Sequence, residues 1–352
     1  MILTWIRLKN FRNFQKKHID FNPNLTIILG DNAQGKTNIL EAIYFIVNGV
    51  GFRESKEAEL LYFESKDHAE VSAEFRDGAL KSPFKIVLIK RLEGPEAKVE
   101  KTFFVGKTKK GQAQYRQELT KAVLFTPQQI ELLTGSPDRR REYFNKILIL
   151  YDIEYKKRLD NYEKAVRRRN KILEGYTSID KLENELLFWD AYLEKEASYI
   201  TAKRQEYINF LNSHPSIDSK KFKIEYLKNE FTLKRVDETK RVELATRRTR
   251  VGPQKDDFQI ELFGEIFKDI HKFGSRSEQR LTILWLKICE VLYCKTMTKR
   301  DPILLFDDIF SELDHKNRKL IFDLIKNYQT VLTTTEKEVL PLTKTQKSIV
   351  SI

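Results

Sequence analysis

Eight consecutive residues, Gly30-Asp31-Asn32-Ala33-Gln34-Gly35-Lys36-Thr37, fit the pattern G-x-x-x-x-G-K-[ST] without a gap. No other feature narrows the fold as sharply, because such a loop works only between a strand and a helix. Both flanks are legible. Leu25 to Leu29 is a short apolar strand, and Ile39, Leu40, Ile43, Ile46 and Val47 fall at helical spacing between Asn38 and Val47. The glycines let backbone N–H groups curl round a β-phosphate, and Lys36 is placed to reach the β- and γ-phosphates. The Thr37 hydroxyl is placed to ligate Mg²⁺, and the helix beginning near Gly35 adds the positive end of its dipole. Gly30 through Thr37, with Asn38 behind them, are the candidate contacts, and ATP with Mg²⁺ the candidate ligands.

A second segment belongs to the same chemistry. Pro302 to Phe306 is a continuous apolar run, the mark of a strand buried on both faces. It delivers Asp307 and Asp308 at its C-terminal end, where a parallel sheet places its ligands. Asp307 is the expected Mg²⁺ ligand. Asp308, to polarise an attacking water, and Lys36, on the γ-phosphate, are the candidate catalytic residues.

The chain around these motifs reads as an α/β head interrupted by helices. Residues 1–130 are β-rich, with alternating segments such as Ile2 to Leu8 and Glu70 to Phe75 that suggest antiparallel pairing with one wet face. From Phe144 a helical stripe runs through Leu148, Tyr151, Tyr155, Leu159, Tyr162 and Val166, and it resumes from Leu182 to Ile200. Two long helices joined near Gly175 make an antiparallel hairpin. The expected division is a head of residues 1–130 plus 250–352 and an inserted arm of 131–249. The two cysteines, Cys289 and Cys294, lie in an apolar helix and offer no disulfide framework or zinc spacing, which points to a reduced, cytosolic setting. No run reaches the length of a membrane span. The net charge of +13 leans towards a polyanionic partner, either nucleic acid or an anionic surface.

The motif order then resembles one class. Phe310-Ser311-Glu312-Leu313-Asp314 resembles the loop that follows the acidic strand in ATP-binding-cassette ATPases, and Phe273 to Arg280 falls where that class keeps its signature. A phosphate loop by residue 30 and a helical insertion resemble the DNA-repair branch that holds SMC, RecN and RecF. Within it the chain is similar to the RecF family. The similarity rests on Leu8-Lys9-Asn10-Phe11-Arg12-Asn13-Phe14, Lys36 to Ile43, Phe125-Thr126-Pro127-Gln128-Gln129, Gly135 to Arg141, Gly252-Pro253-Gln254-Lys255-Asp256-Asp257 and Asp307 to Asp314. The fold this implies is a P-loop cassette ATPase head with a mixed and antiparallel β subdomain and the hairpin arm.

The resemblance also implies a slow, DNA-linked ATPase. Ser275, Ser277 and Glu278 of a second copy would cap the γ-phosphate and close a homodimer on duplex or gapped DNA, and the partners would be proteins of the RecO and RecR type. Three positions depart from the family pattern. Ser277-Glu278 stand for Gly-Gln of the signature, Gln128-Gln129 for two carboxylates, and Gln254 for a histidine. Gln128 keeps a neutral oxygen for Mg²⁺. The basic clusters Arg139-Arg140-Arg141 and Arg167-Arg168-Arg169 are the candidate DNA contacts. A different class, an ATP-regulated protein-interaction module with no DNA clamp, stays open on the same motifs.

Overall fold

A computed structural model describes the chain except for residues 54–56, 65–67, 94–95, 177–178, 265–267, 311–314 and 336–345. It divides into two compact units, residues 1–129 with 290–352, and residues 130–289.

The helix Lys36–Asn48 is the centre of the first unit. Its Ile39, Leu40, Ile43, Phe45, Ile46 and Val47 have no exposed surface, so it is buried nearly all round rather than along one stripe. Such a helix needs cover on both sides, and two sheets supply it. One is five-stranded and entirely parallel, in the order Lys347–Ser351, Leu25–Leu29, Thr330–Thr334, Ile303–Asp307, Ala122–Phe125. Its strands Ala122–Phe125, Ile303–Asp307 and Thr330–Thr334 are buried at every residue, as a parallel sheet covered on both faces requires. The other is six-stranded and antiparallel, in the order Phe14–Asp20, Ile2–Phe11, His68–Asp77, Leu80–Glu93, Glu96–Val105, Thr108–Lys110. It alternates cleanly: Ala69, Val71, Ala73 and Phe75 face the core while the residues between them stay partly wet.

Buried polar groups tie these layers together. Gln329 accepts from the Leu3 N–H and donates to the Leu3 and Asn22 carbonyls, and Asn48 exchanges two hydrogen bonds with the backbone of Ala122. Two strands of the parallel sheet, Ala122–Phe125 and Lys347–Ser351, were not legible as strands. The first is four residues long, and the second has no alternation to mark it.

The second unit carries the helices Pro137–Tyr151, Ile153–Gly175 and Ile179–Asn212. The single stripe read from Phe144 onwards is broken at Asp152, whose side chain accepts from the Tyr155 N–H and caps the second helix. A four-stranded antiparallel sheet follows, in which Lys220–Leu227 pairs with Asp257–Phe263 along its length. That pairing keeps residues 257–263 with the second unit. The sequence places the return at residue 250, yet 250–289 belong with the second unit, and the division falls inside the helix Arg276–Thr298.

Two buried arginines hold the second unit. Arg204 donates to Asp256 Oδ2 (2.6 Å), the Pro253 carbonyl (2.8 Å) and Asn145 (3.0 Å), while Tyr226 also donates to Asp256. Arg169 meets Asp190 (2.6 Å), Glu243 (2.7 Å) and the Thr249 hydroxyl (3.0 Å). Gly252 sits at φ +119, and a Cβ there would lie 2.1 Å from the Tyr162 hydroxyl, so only glycine fits. Gln254, where the resemblance expects histidine, accepts from Tyr162 and donates to the Val251 carbonyl, so the amide serves as both acceptor and donor.

Asp256→Ala should be strongly destabilising, because it leaves the Arg204 guanidinium, 2% exposed, without its counter-charge. The expected loss is about 3–5 kcal/mol, read as a lowered urea midpoint; a change within ~0.5 kcal/mol would mean that the pair holds nothing.

Candidate nucleotide site

The phosphate loop leaves the parallel strand Leu25–Leu29 and enters the helix Lys36–Asn48 through two left-handed residues, Ala33 (φ 66) and Gly35 (φ 98). A Cβ on Gly35 would meet the Asn13 amide at 2.5 Å and the Phe14 ring at 2.9 Å. The helix start has no side-chain cap and no acidic residue in its first turn. Its leading N–H groups and the positive end of its dipole are therefore offered to an external anion.

Lys36 folds back over the loop and donates to the carbonyls of Gly30 (2.7 Å) and Asp31 (2.9 Å). Gln34 accepts from the Asp31 N–H and so closes the turn from inside. Asp307 lies beyond the loop, 9% exposed. Thr37 and Thr333 each donate a hydroxyl to its Oδ1 at 2.9 Å. Burial pushes the Asp307 carboxyl above the ordinary carboxylate range, against the two threonine bonds and the nearby charge of Arg53. A hydroxyl and a carboxylate oxygen in contact beside an uncapped helix start make a hard-oxygen donor set that fits Mg²⁺. Asp308 ends the strand in a left-handed turn (φ 49), and its N–H bonds to both the carbonyl and the hydroxyl of Thr333.

Around the loop lies a set of contacts that motif reading did not anticipate. Glu41, fully buried on the phosphate-loop helix, receives Arg12 through two bonds (2.7 and 2.9 Å) and Arg53 through another (2.7 Å). Arg53 also donates to Asn38, which donates in turn to Asn13 (2.7 Å). Arg12, Asn13, Asn38 and Arg53 line a cleft of about 420 Å³ that opens beside the loop. The signal was present in Arg12 and Asn13 of the opening block and in Glu41, but nothing in their spacing shows that they meet.

Other expected site residues divide. Gln128 is exposed just past the strand Ala122–Phe125, which runs parallel to Ile303–Asp307, while Gln129 is spent closing its own turn on Thr126 and Leu124. Ser275, Ser277 and Glu278 belong to the second unit. Ser275 and Glu278 form a capping box: the carboxylate accepts from the Ser275 N–H (2.8 Å), and the Ser275 hydroxyl accepts from the Glu278 N–H (3.3 Å). Lys268 reaches the same carboxylate at 2.7 Å. Burial raises the Glu278 pKa, but Lys268 and Ser275 outweigh it and hold the carboxyl below its usual range. Ser311 to Asp314 lie outside the described residues.

The basic clusters need correction. Arg169 is 1% exposed inside its ion pairs, and Arg140 is buried against Asp257 (2.6 Å), so neither offers a phosphate anything. Arg141 is turned to the Asp256 carbonyl and Asp138. Arg139, Arg167 and Arg168 are exposed. Runs of arginine in a helix cannot all share one face at 3.6 residues per turn, so a contiguous cluster is divided between core and solvent.

Residues 2–351 match the RecF/RecN/SMC N terminal domain family. The DNA replication and repair protein RecF of Acetivibrio thermocellus is 31% identical over 96% of this chain and 94% of its own. The chain belongs to the RecF family. RecF of Streptococcus agalactiae serotype Ia is also 31% identical, over 99% of this chain and 96% of its own. A solved structure of RecF with ATP, described as a recombination mediator of the RecFOR pathway, superposes at a TM-score of 0.80, with 28% identity over 96% of this chain and 92% of that one. The SMC head of Pyrococcus furiosus shares the fold (TM-score 0.52, 19% identity). The chain is thus an α/β P-loop ATPase head with an inserted helical arm. Among the described residues no helix is long and apolar enough to cross a membrane.

Lys36→Ala should abolish ATP binding measured by calorimetry; unchanged affinity would dismiss the loop as the site. Glu278→Gln, which keeps the cap, should lose up to about 1 kcal/mol of stability near neutral pH through the ion pair with Lys268. A depressed folded pKa contributes stability above the unfolded value, about pH 4.3, and loses it as pH falls through the lower folded value. The gap between variant and parent in a pH series of urea midpoints should therefore close below about pH 4; a gap independent of pH would remove the charge from the argument.

Proposed function

We propose that this RecF-family chain, a DNA replication and repair ATPase, is an ATP-switched clamp on DNA. The observation that supports the reading is the contact of Thr37 with Asp307 beside an uncapped helix start, which brings a hydroxyl, a carboxylate and free helix N–H groups to one sheet end. Lys36 and the amides of the loop bind the triphosphate. Thr37 and Asp307 would hold Mg²⁺, with Gln128 available from the neighbouring strand; when bound, the ion neutralises charge on the phosphates. Asp308 orients the attacking water. Ser275, Ser277 and Glu278 of a second copy close on the γ-phosphate, and Lys268 answers the negative charge that Glu278 brings.

The closed pair holds duplex or gapped DNA, and hydrolysis lets it go. Arg139, Arg167 and Arg168 are the cluster residues exposed enough to meet phosphates. Proteins of the RecO and RecR type are the expected partners, supported by the RecFOR description of the solved relative.

The test is solution mass and duplex binding measured side by side with ATP, with ADP and without nucleotide. A dimer and salt-sensitive DNA retention with ATP alone are expected, and Asp308→Asn should keep both while losing turnover. A monomer that binds no DNA in any nucleotide state would refute the clamp and favour a protein-interaction module.

A further inference from the structure

The two strands Ile2–Phe11 and Phe14–Asp20 form a hairpin at one edge of the six-stranded sheet. In its register Lys9 stands opposite Lys16, and Arg7 opposite His18. Side chains alternate along a strand, so Trp5, Arg7, Lys9, Lys16 and His18 share one face, while Ile6, Leu8 and Ile19 are buried on the other. Arg7, Lys9 and Lys16 are exposed. Like charges directly opposite one another repel, and a sheet ordinarily answers them with a neighbouring carboxylate.

Here the nearby carboxylates are engaged elsewhere. Glu70, the partner of Lys9 on the third strand, accepts from Ser72 (2.7 Å) and pairs with Lys85 (4.0 Å). Asp20 lies against His18 (3.4 Å). Among the described residues no ion pair reaches Lys9 or Lys16. Arg7 is held upright by its own neighbours: its guanidinium lies 5.6 Å from the centre of the Trp5 ring, which packs at 5.7 Å on His18.

We infer that Arg7, Lys9 and Lys16 are a docking face for the phosphate backbone of duplex DNA. The inference rests on the DNA-binding reading above and adds a site that the arginine clusters do not include. Among the described residues Lys9 and Lys16 make no ion pair, and sheet rather than loop fixes the spacing of all three cations. Contacts to phosphate alone read no base edge, so binding there should be independent of sequence.

The experiment uses the full chain with ATP and a mixed-sequence duplex, with binding followed by fluorescence anisotropy from about 50 to 200 mM salt. The variant Arg7→Gln/Lys9→Gln/Lys16→Gln should bind more than tenfold more weakly at the lower salt. Its log–log salt slope should be shallower by about 2 to 3, at roughly 0.9 for each phosphate no longer neutralised. Its thermal midpoint should hold or rise, since the Lys9–Lys16 repulsion is gone. Lys16→Gln alone, on the edge strand, should remove about one unit of slope. Lys9→Arg/Lys16→Arg should keep the parental slope.

If both neutral variants keep the parental slope while the parent binds DNA, the inference is overturned and the lysines only guard the sheet edge. If the parent itself binds no duplex in any nucleotide state, the DNA reading fails and the inference with it. Arg167→Gln/Arg168→Gln, measured alongside, probes the helical arm separately.

Discussion

One buried carboxylate organises the first unit. Asp307 sits at the end of a strand with no wet face, where an ionised group is costly unless it is bonded. Two hydroxyls meet that cost, from Thr37 behind the phosphate loop and from Thr333 on the adjacent strand. The strand order makes this possible: Thr330–Thr334 lies between Leu25–Leu29 and Ile303–Asp307, so groups from three distant stretches of sequence converge on one oxygen. The buried helix Lys36–Asn48 fixes the approach of Thr37, and the second sheet fixes the helix. Displacing any of these layers would leave the carboxylate buried with fewer donors.

The second unit solves a related problem with full charges. Arg169 and Arg204 lie deeper than most ion pairs, and each is satisfied on several sides at once. The Gly252 to Asp257 segment supplies many of the acceptors and is also the point at which the chain enters the strand Asp257–Phe263. A block that reads as a family fingerprint is thus, in this chain, a set of acceptors for buried arginines. The Arg140–Asp257 pair extends it to the helix Pro137–Tyr151.

Much of this was legible before the fold was seen. Leu25–Leu29, the following helix and the strand Ile303–Asp307 were readable because glycine spacing and unbroken apolar runs are local signals. The meeting of Thr37 with Asp307 followed from motif identity. What escaped was set by distance in sequence. Nothing near Glu41 announces Arg12 and Arg53 as its partners, and nothing near Thr333 announces Asp307. The arginine clusters misled for a different reason: charge counts do not distinguish a side chain in solvent from one buried against a carboxylate, and Arg167, Arg168 and Arg169 include both.

The cap at Ser275 carries a consequence for inheritance. A glutamine at position 278 can close a capping box alone, whereas the glutamate found here shares its oxygen between that box and Lys268. The two positions are therefore coupled. A descendant that loses the lysine while keeping the glutamate retains the cap and the favourable helix dipole but forfeits the ion pair, and one that carries glutamine at 278 frees position 268 to vary. Among close relatives of this chain, acid at 278 and base at 268 should travel together.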